Sequence, residues 1–226
     1  MYKSRRLDEK QLILLKQGKG FFHIGASGHE AVQVAASKCF KTEKDYSYPY
    51  YRNQAYCLGL GMTSREILLS FLAKDSDPNS GGRQMPQHFG HKELNIVSQS
   101  SPTGTQYLQA TGAAFALQKN NENGIVYVSS GEGTTSQGDF HEALNWSSRV
   151  KAPVIFHIEN NGYAISVPID EQTSGGSVYK ISSGYENLHR IKIDGTDYFE
   201  SLIAFNSACD RARKGLGPTL IESMVV

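Results

Sequence analysis

The chain has 226 residues, of which 39% are hydrophobic, so it can form one or two domains with a sizeable core. Its 23 basic and 22 acidic residues nearly balance, which argues against nucleic acid or an anionic membrane as a partner. No apolar run approaches the roughly 18 residues of a membrane-spanning helix, and the polar N-terminus lacks the apolar core of a signal peptide.

Two helices are predicted in the N-terminal part of the chain. Leu7 to Lys19 has an apolar stripe between charged residues, which is typical of an amphipathic helix. Ser27 and Glu30 have capping-box spacing, so we expect a second helix from about 29 to 39. His29 is interpreted as a structural residue at the start of that helix rather than as a catalyst.

A tyrosine-rich stretch at 45–56 follows and is interpreted as a loop. Tyr51 and Arg52 place a phenol beside a guanidinium, a pair that suits a phosphate. A packed surface loop would explain the same tyrosines, so both interpretations stay open at this point.

Residues 64–73 form the next predicted helix, capped by Thr63 or Ser64. The segment 74–91 shows no periodicity and is predicted to be a long loop, either an ordinary excursion with solvated histidines or a functional element. A metal site is not favoured there, because the histidines have no third ligand nearby.

Ser100, Ser101 and Pro102 carry the signals of a helix start. The helix that follows is rich in glycine and alanine, so it can approach another backbone closely. Its partner is either a neighbouring element of the same fold or a second subunit.

The stretch from 126 to 161 has the pattern of a β-α-β unit. Residues 126–128 and 154–156 are β-branched or aromatic and predict buried strands, and 140–150 predicts the helix between them. Capping-box pairs are available from Ser136 to Asp139 and from Asp139 to Glu142.

This unit brings two oxygen-bearing side chains together. Glu132 follows the first strand and Asn161 follows the second, so both lie at the carboxyl edge of one parallel sheet. Carboxylate and amide oxygens suit Mg²⁺ or Ca²⁺ better than zinc. The flanking Gly131 and Gly133 let backbone N–H groups approach an anion, so the pattern indicates a diphosphate site.

The C-terminal part contains a second long loop at 168–185, a strand at 189–193, a helix at 198–214 and a strand at 220–226. Because a folded domain seldom ends in the middle of a strand, we expect more protein after Val226. The three cysteines are odd in number and lack metal-type spacing, which favours inert thiols in a reducing compartment. With no targeting segment, we expect a cytoplasmic protein.

Gly-Glu-Gly at 131–133 followed by Asn-Asn at 160–161 resembles the fingerprint of thiamin-diphosphate enzymes. From about Arg5 onward, the chain resembles the α-subunit portion of the E1 component of 2-oxoacid dehydrogenase complexes. The motifs at 82–86, 100–102 and 160–166 are similar to those of the branched-chain branch.

The resemblance implies an α/β fold, a parallel sheet flanked by helices that forms a single thiamin-diphosphate-binding (PP-type) domain over 1–226, truncated at its C-terminus. Residues 1–45 would be an N-terminal helical segment and 46–226 the cofactor-binding core.

The resemblance also implies roles for individual residues. Glu132, the Asn161 side chain and the backbone oxygen of Tyr163 would bind Mg²⁺, and Tyr51 and Arg52 would hold the diphosphate. The other implied cofactor contacts are Ser101, Thr103, Gly131, Gly133, Thr134 and Ile165. A monovalent-cation site, for K⁺, would comprise Ser100, Pro102, Thr105 and Gln106.

Two positions depart from the family pattern. Thr103 stands where the relatives have Leu, and Glu159 stands where they have an Arg that contacts the diphosphate. A carboxylate at that position should weaken anion binding unless it turns away or meets a local cation.

The implied function is oxidative decarboxylation of a 2-oxoacid, with a branched-chain substrate favoured, and transfer of the acyl group to a lipoyl-bearing E2. The implied partners are an E1 β subunit or a fused β portion, in a dimer of αβ units. No catalytic residue is assigned in this chain, because the family's catalytic glutamate lies on the β subunit and its His-Ser loop would follow Val226. The isolated chain is therefore expected to be inactive. A pyruvate- or acetoin-type E1 α and a non-catalytic binding or assembly relative are the alternatives.

Overall fold

The computed structural model describes all of residues 1–226. A five-stranded parallel sheet forms its centre, and a two-stranded antiparallel hairpin lies beside it. The strands are β1 (Tyr46–Tyr48), β2 (Val126–Gly131), β3 (Val154–Asn160), β4 (Tyr163–Ala164), β5 (Val167–Pro168), β6 (His189–Asp194) and β7 (Thr219–Met224).

Nine α-helices connect and cover the strands, and none combines the length and apolar character needed to cross a bilayer. They are α1 (Tyr2–Lys16), α2 (Glu30–Ser37), α3 (Gln54–Leu60), α4 (Ser64–Phe71), α5 (Thr105–Lys119), α6 (Gly138–Val150), α7 (Ile169–Gln172), α8 (Val178–Ile181) and α9 (Tyr198–Arg213). Single 3₁₀ turns lie at Lys92–Leu94, Glu132–Ser136, Ser174–Gly176 and Ser182–Gly184.

The strand order in the large sheet is β1-β2-β3-β7-β6, and every pair is parallel. The predicted β-α-β unit is confirmed as β2, α6 and β3, with Gly131 in register with Glu159. The carboxyl ends of β1, β2 and β3 therefore lie side by side at one edge of the sheet. That edge is where open α/β sheets bind ligands.

Side chains of alternate residues in the central strands enter two separate cores. Tyr127 and Ile155 pack with α2, α3 and α9 on one face, whereas Val128 and Phe156 pack with α5 and α6 on the other. The Tyr127 ring stacks on Tyr56 at 4.2 Å between centroids. Both faces of the sheet are covered, as expected for parallel strands, and this explains why the strands have continuous apolar runs.

The predicted helix start at Ser100–Pro102 is wrong. Helix α5 begins at Thr105, after Gly104, whose φ of 102° lies in the left-handed region. A Cβ atom at Gly104 would lie 3.0 Å from the side chain of Gln137, so the turn needs glycine for both conformation and space. Ser100 instead bonds its hydroxyl to that of Thr105 within the preceding loop.

Only one of the predicted helix caps forms. Thr63 and Glu66 make the reciprocal capping box of α4. Ser27 does not cap α2, because its hydroxyl donates to Asp8 at 2.9 Å. The capping boxes predicted between 136 and 142 are also absent, because residues 132–136 form a 3₁₀ turn and α6 starts without a side-chain cap.

The two predicted loops at 45–56 and 168–185 contain regular structure. The first includes β1 and the start of α3, and the second contains α7 and α8. These elements have three to seven residues, which is too short for a periodic pattern to reveal. Of the two interpretations of segment 74–91, the one with solvated histidines does not hold for His88, which is buried.

Candidate functional site

A cavity of about 270 Å³ opens at the carboxyl edge of the sheet. The segments that follow β1, β2 and β3 form its walls, and Thr103 from the loop before α5 completes them. Its lining residues are Tyr50, Tyr51, Arg52, Thr103, Gly131, Glu132, Gly133, Thr134, Glu159, Asn161, Tyr163, Ala164 and Ile165. The cavity thus brings together ten of the eleven cofactor contacts implied by the sequence, Thr103 among them, and leaves only Ser101 outside.

Glu132 is the buried carboxylate of this cavity that has an unsatisfied oxygen. Its Oε2 accepts a hydrogen bond from the backbone N–H of Asn161 at 3.4 Å, whereas its Oε1 has no partner. The residue is only 2% exposed, and burial raises the pKa of its carboxyl above the usual value. A buried anionic oxygen without a donor is the feature that a bound cation would satisfy.

The turn after β3 separates the roles of the two asparagines. Asn160 is buried, donates to Glu222 at 2.8 Å and accepts from the N–H of Gly162 at 2.9 Å. Asn161 lines the cavity, and its Oδ1 accepts from the N–H of Tyr163 at 3.2 Å. Asn160 therefore holds the turn, and Asn161 presents its side chain to the cavity.

Arg52 is the only cationic residue that lines the cavity. Its Nη1 donates to the carbonyl of Gly25 at 2.6 Å, and its guanidinium lies 5.4 Å from the centroid of the Tyr51 ring. One donor is thus used to hold the side chain, and the remaining guanidinium N–H groups are available to an anion.

The glycines flanking Glu132 differ in importance. A Cβ atom at Gly133 would lie 2.7 Å from the Cβ of Ala164, so the 3₁₀ turn approaches the β4–β5 hairpin too closely for any side chain. At Gly131 the nearest atom would be 3.9 Å away, an ordinary contact. The side chain of Gln172 stabilises the same turn, because its Nε2 donates to the carbonyls of Glu132 and Gly133, both at 3.1 Å.

The four residues implied in a monovalent-cation site lie together in one hydrogen-bonded loop. Ser100 pairs with Thr105, and the Thr105 hydroxyl donates to the carbonyl of Pro102 at 3.1 Å. Gln106 accepts from the N–H of Gly104 at 3.0 Å and donates to the carbonyl of Ser129 at 3.2 Å.

Ser101 lies outside the cavity, whereas Ile165 lines it. The hydroxyl of Ser101 lies 3.0 Å from Nε2 of His88, which ties the 100–106 loop to the buried part of segment 74–91. Ile165 lies at the cavity rim, is fully exposed and has a φ of 60°, which is unusual for a β-branched residue.

Glu159 meets local donors instead of facing the cavity as a free charge. Its Oε2 accepts from His29 Nδ1 at 2.6 Å and from Gln33 Nε2 at 2.8 Å, and its Oε1 accepts from Asn53 Nδ2 at 2.5 Å. Burial pushes the pKa of this carboxyl up, but the bond from His29 and the other nearby donors outweigh it and hold the pKa below the usual value.

Sequence comparisons place the chain among known proteins. The family model described as "Dehydrogenase E1 component" matches residues 1–226. The chain belongs to the dehydrogenase E1 component family.

Within this family, the chain is 44% identical over 224 residues to the α subunit of 2-oxoisovalerate dehydrogenase from Bacillus subtilis, covering 99% of this chain and 68% of the relative. It is 36% identical over 221 residues to the pyruvate dehydrogenase E1 α subunit of Staphylococcus aureus, covering 98% of this chain and 56% of the relative. It is 38% identical over 212 residues to the mitochondrial 2-oxoisovalerate dehydrogenase α subunit of Caenorhabditis elegans, covering 92% and 48%.

These relatives confirm the resemblance to E1 α subunits, nearest to the branched-chain branch. The chain spans between about half and two thirds of the length of these relatives. The family uses thiamin diphosphate. The cavity described above is the part of this E1 chain whose residues suit the charged end of such a cofactor.

Several residues that hold the walls of this cavity in place were not predicted from the sequence. They are Gln33, Tyr50, Asn53, Gln172 and Glu222. A polar residue within an otherwise apolar helix is a usable signal for Gln33, and a glutamate within an apolar strand is one for Glu222. The other three lie in turns or short helices, where polar residues are common and carry little information.

Proposed function

We propose that this chain is the part of an E1 α subunit that holds the diphosphate of thiamin diphosphate through Mg²⁺. The observation that carries the proposal is the unpartnered Oε1 of buried Glu132, set beside Asn161 in a cavity whose only cation is Arg52. A divalent ion satisfies the buried carboxylate, and the ion with Arg52 balances a diphosphate.

The residues of the cavity divide into a cation-binding and an anion-binding group. Glu132, the Asn161 side chain and the backbone oxygen of Tyr163 would hold Mg²⁺. Tyr51 and Arg52 would bind the diphosphate. Gly131, Gly133 and Thr134 would present the start of the 3₁₀ turn to it, and Thr103, Ser101 and Ile165 would contact the rest of the cofactor.

Bound thiamin diphosphate supplies the carbanion-stabilising chemistry that decarboxylation of a 2-oxoacid requires. The residues of this chain bind and orient the cofactor. The whole protein would carry out oxidative decarboxylation and pass the acyl group to a lipoyl-bearing E2, together with an E1 β subunit or fused β portion in a dimer of αβ units.

A branched-chain 2-oxoacid is the proposed substrate. The supporting observation is the identity of 44% to a 2-oxoisovalerate dehydrogenase α subunit, compared with 36% to a pyruvate dehydrogenase α subunit. Decarboxylation assays on the assembled E1 should show higher kcat/KM with 3-methyl-2-oxobutanoate than with pyruvate. The reverse preference would assign the protein to the pyruvate type.

A K⁺ ion is proposed at the loop formed by Ser100, Pro102, Thr105 and Gln106. The support is that this loop holds the hydroxyls of Ser100 and Thr105 and the carbonyl of Pro102 together by hydrogen bonds and contains the side-chain oxygen of Gln106 close by in sequence. Replacing K⁺ by a large organic cation should lower the thermal midpoint of the assembled E1, and an unchanged midpoint would argue against the site.

Calorimetric titration of the assembled E1 with thiamin diphosphate, with and without Mg²⁺, tests the cofactor assignment. We expect saturable binding that requires the metal. No heat at millimolar ligand would instead favour a non-catalytic binding or assembly relative.

A further inference from the structure

Glu159 is a fully buried carboxylate whose two oxygens are surrounded by donors. His29, Gln33 and Asn53 bond to it at 2.6, 2.8 and 2.5 Å. The hydroxyl of Tyr50 donates to it at 3.3 Å. His157 Nδ1 lies 3.6 Å from Oε1. A carboxylate with this many partners is held in one orientation.

Two of these donors belong to the segment that carries the only cation of the cavity. Tyr50 and Asn53 flank Arg52 on either side, and both bond to Glu159. Asn53 also holds the start of this segment, because its Oδ1 accepts from the N–H of Tyr50 at 3.4 Å. Glu159 thus fixes both ends of segment 50–53.

Gln33 strengthens the same connection from helix α2. Its Nε2 donates both to Glu159 and, at 3.0 Å, to the carbonyl of Arg52, while its Oε1 accepts from the N–H of Ala55 at 3.1 Å. Gln33 does not line the cavity. The backbone of Arg52 is therefore held by a residue whose own position depends on Glu159.

On its other side, Glu159 belongs to the strand that positions the metal-binding group. It is the residue of β3 in register with Gly131, and it lies two residues before Asn161. Each step from Glu159 to Arg52 or to Asn161 is a direct hydrogen bond or a short stretch of strand backbone. The network thus joins the two groups of cavity residues.

We infer that Glu159 is a positioning residue that holds the Tyr51–Arg52 anion-binding segment at a set distance from the Glu132–Asn161 cation-binding group. The inference rests on the proposed binding of a metal diphosphate in this cavity. Glu159 contributes by geometry, through the orientation of Arg52, and its own charge is stabilised by the surrounding donors.

A simple electrostatic account makes the opposite prediction. If Glu159 acted mainly as a negative charge beside a diphosphate, removing the charge with Glu159→Gln would tighten anion binding. If Glu159 positions Arg52, the same variant weakens binding, because the amide of Gln replaces one acceptor oxygen with a donor that faces other donors. The sign of the change therefore separates the two accounts.

Gln33→Leu provides an independent test, because it leaves the charge of Glu159 in place. It removes the bond to the Arg52 carbonyl and does not touch the cavity. The positioning role predicts weaker anion binding in this variant, and charge repulsion predicts no change. Asp45→Asn is a matched control, since Asp45 is another buried, multiply bonded carboxylate but lies at the amino edge of the sheet.

The measurement is the Kd of Mg²⁺–pyrophosphate and of Mg²⁺–thiamin diphosphate for the assembled E1, by calorimetry, with the urea midpoint of each variant recorded alongside. We expect Glu159→Gln and Gln33→Leu to raise both Kd values about tenfold or more, a size typical of residues that orient a metal site. Asp45→Asn should lower the urea midpoint and leave both Kd values within about twofold of wild type.

Tighter binding by Glu159→Gln, or an unchanged Kd in Gln33→Leu, would overturn the positioning role. Loss of affinity in Asp45→Asn equal to that in Glu159→Gln would also overturn it, because the effect would then reflect general destabilisation. Failure of wild-type E1 to bind either ligand would instead refute the proposed function itself, so the two failures are distinguishable.

Discussion

Glu132 and Glu159 are buried carboxylates in one cavity wall, and their surroundings give them different properties. Glu132 has an oxygen without a partner, and burial raises its pKa. In Glu159, burial is outweighed by hydrogen-bond donors that keep its pKa low. The two glutamates therefore differ in their free oxygens: Glu132 has one without a hydrogen-bond partner that can bind a cation, whereas both oxygens of Glu159 have partners.

Replacing Glu132 by Gln should abolish most metal-dependent cofactor binding. The amide loses the negative charge that a hard divalent ion prefers, so we expect the Kd of thiamin diphosphate with Mg²⁺ to rise about 100-fold, or roughly 3 kcal/mol. Glu122→Gln is the matched control, because Glu122 is exposed and does not line the cavity. Equal affinities for wild type and Glu132→Gln would remove Glu132 from the metal site.

His157 should make the protein less stable in mild acid. Burial lowers the pKa of this imidazole to about 4, from 6.5, because the ring is enclosed between Tyr127 and Ser223. Between pH 6.5 and 4 the unfolded chain binds a proton that the folded protein does not, so the free energy of unfolding falls as pH falls, by up to about 3 kcal/mol.

Urea denaturation at pH 7 and pH 5 checks the role of His157. The wild-type protein should lose free energy of unfolding at the lower pH, and His157→Gln should lose less, because glutamine does not titrate. An equal loss in the two proteins would show that other groups cause the acid sensitivity.

Most helices of this fold begin without a side-chain cap and owe their position to packing. Helices α4 and α9 are the exceptions, capped by Thr63 and Asp197. The capping-box predictions at α2 and α6 were wrong for different reasons: Asp8 accepts the hydroxyl of Ser27 at α2, and Ser136 lies in a 3₁₀ turn before α6. Local capping patterns are informative only where no tertiary partner is within reach.

Removing the cap of α9 should destabilise the protein modestly. Asp197 accepts from the N–H groups of Phe199 and Glu200 at 2.8 and 3.0 Å. Asp197→Ala leaves these donors to water and should lower the free energy of unfolding by about 1 kcal/mol. Asp210→Ala, an exposed position later in the same helix, is the control and should change it by less than about 0.5 kcal/mol. Urea midpoints compare the two.

At the scale of the whole molecule, Asp45 connects several elements at the amino edge of the sheet. This buried carboxylate accepts from the N–H groups of Lys41 and Ile125 at 2.7 and 3.0 Å, and from Arg213 at 2.6 Å. It thereby ties the entries of β1 and β2 to the end of α9. The proposed cofactor site lies at the opposite edge, so we expect stability and binding to depend on different ends of the strands.

Asp45→Asn should therefore lower the free energy of unfolding and leave the affinity for the cofactor unchanged. It removes the partner charge of Arg213 and leaves a donor facing buried N–H groups, so the free energy of unfolding should fall by about 3 kcal/mol. Chemical denaturation measures this loss. A variant of unchanged stability would show that the ion pair contributes nothing beyond its desolvation cost.

The central β-α-β unit and the meeting of Glu132 with Asn161 could be predicted from sequence alone. Strand runs, the intervening helix and the right-handed crossover are local properties, and together they assign both side chains to one sheet edge. The bounds of short elements could not be predicted: β1 has three residues, and α5 begins at Thr105 because Gly104 turns the chain first.

The surroundings of Glu159 required the folded chain. Its partners His29, Gln33, Tyr50 and Asn53 lie 106 to 130 positions away in sequence and approach only when α2 and segment 50–53 pack against the end of β3. The sequence placed the Glu159 carboxylate beside an expected diphosphate, so it raised the question of whether the two negative charges repel each other. The folded structure shows that hydrogen-bond donors from distant elements surround that carboxylate. No local sequence pattern indicates which distant elements will pack together.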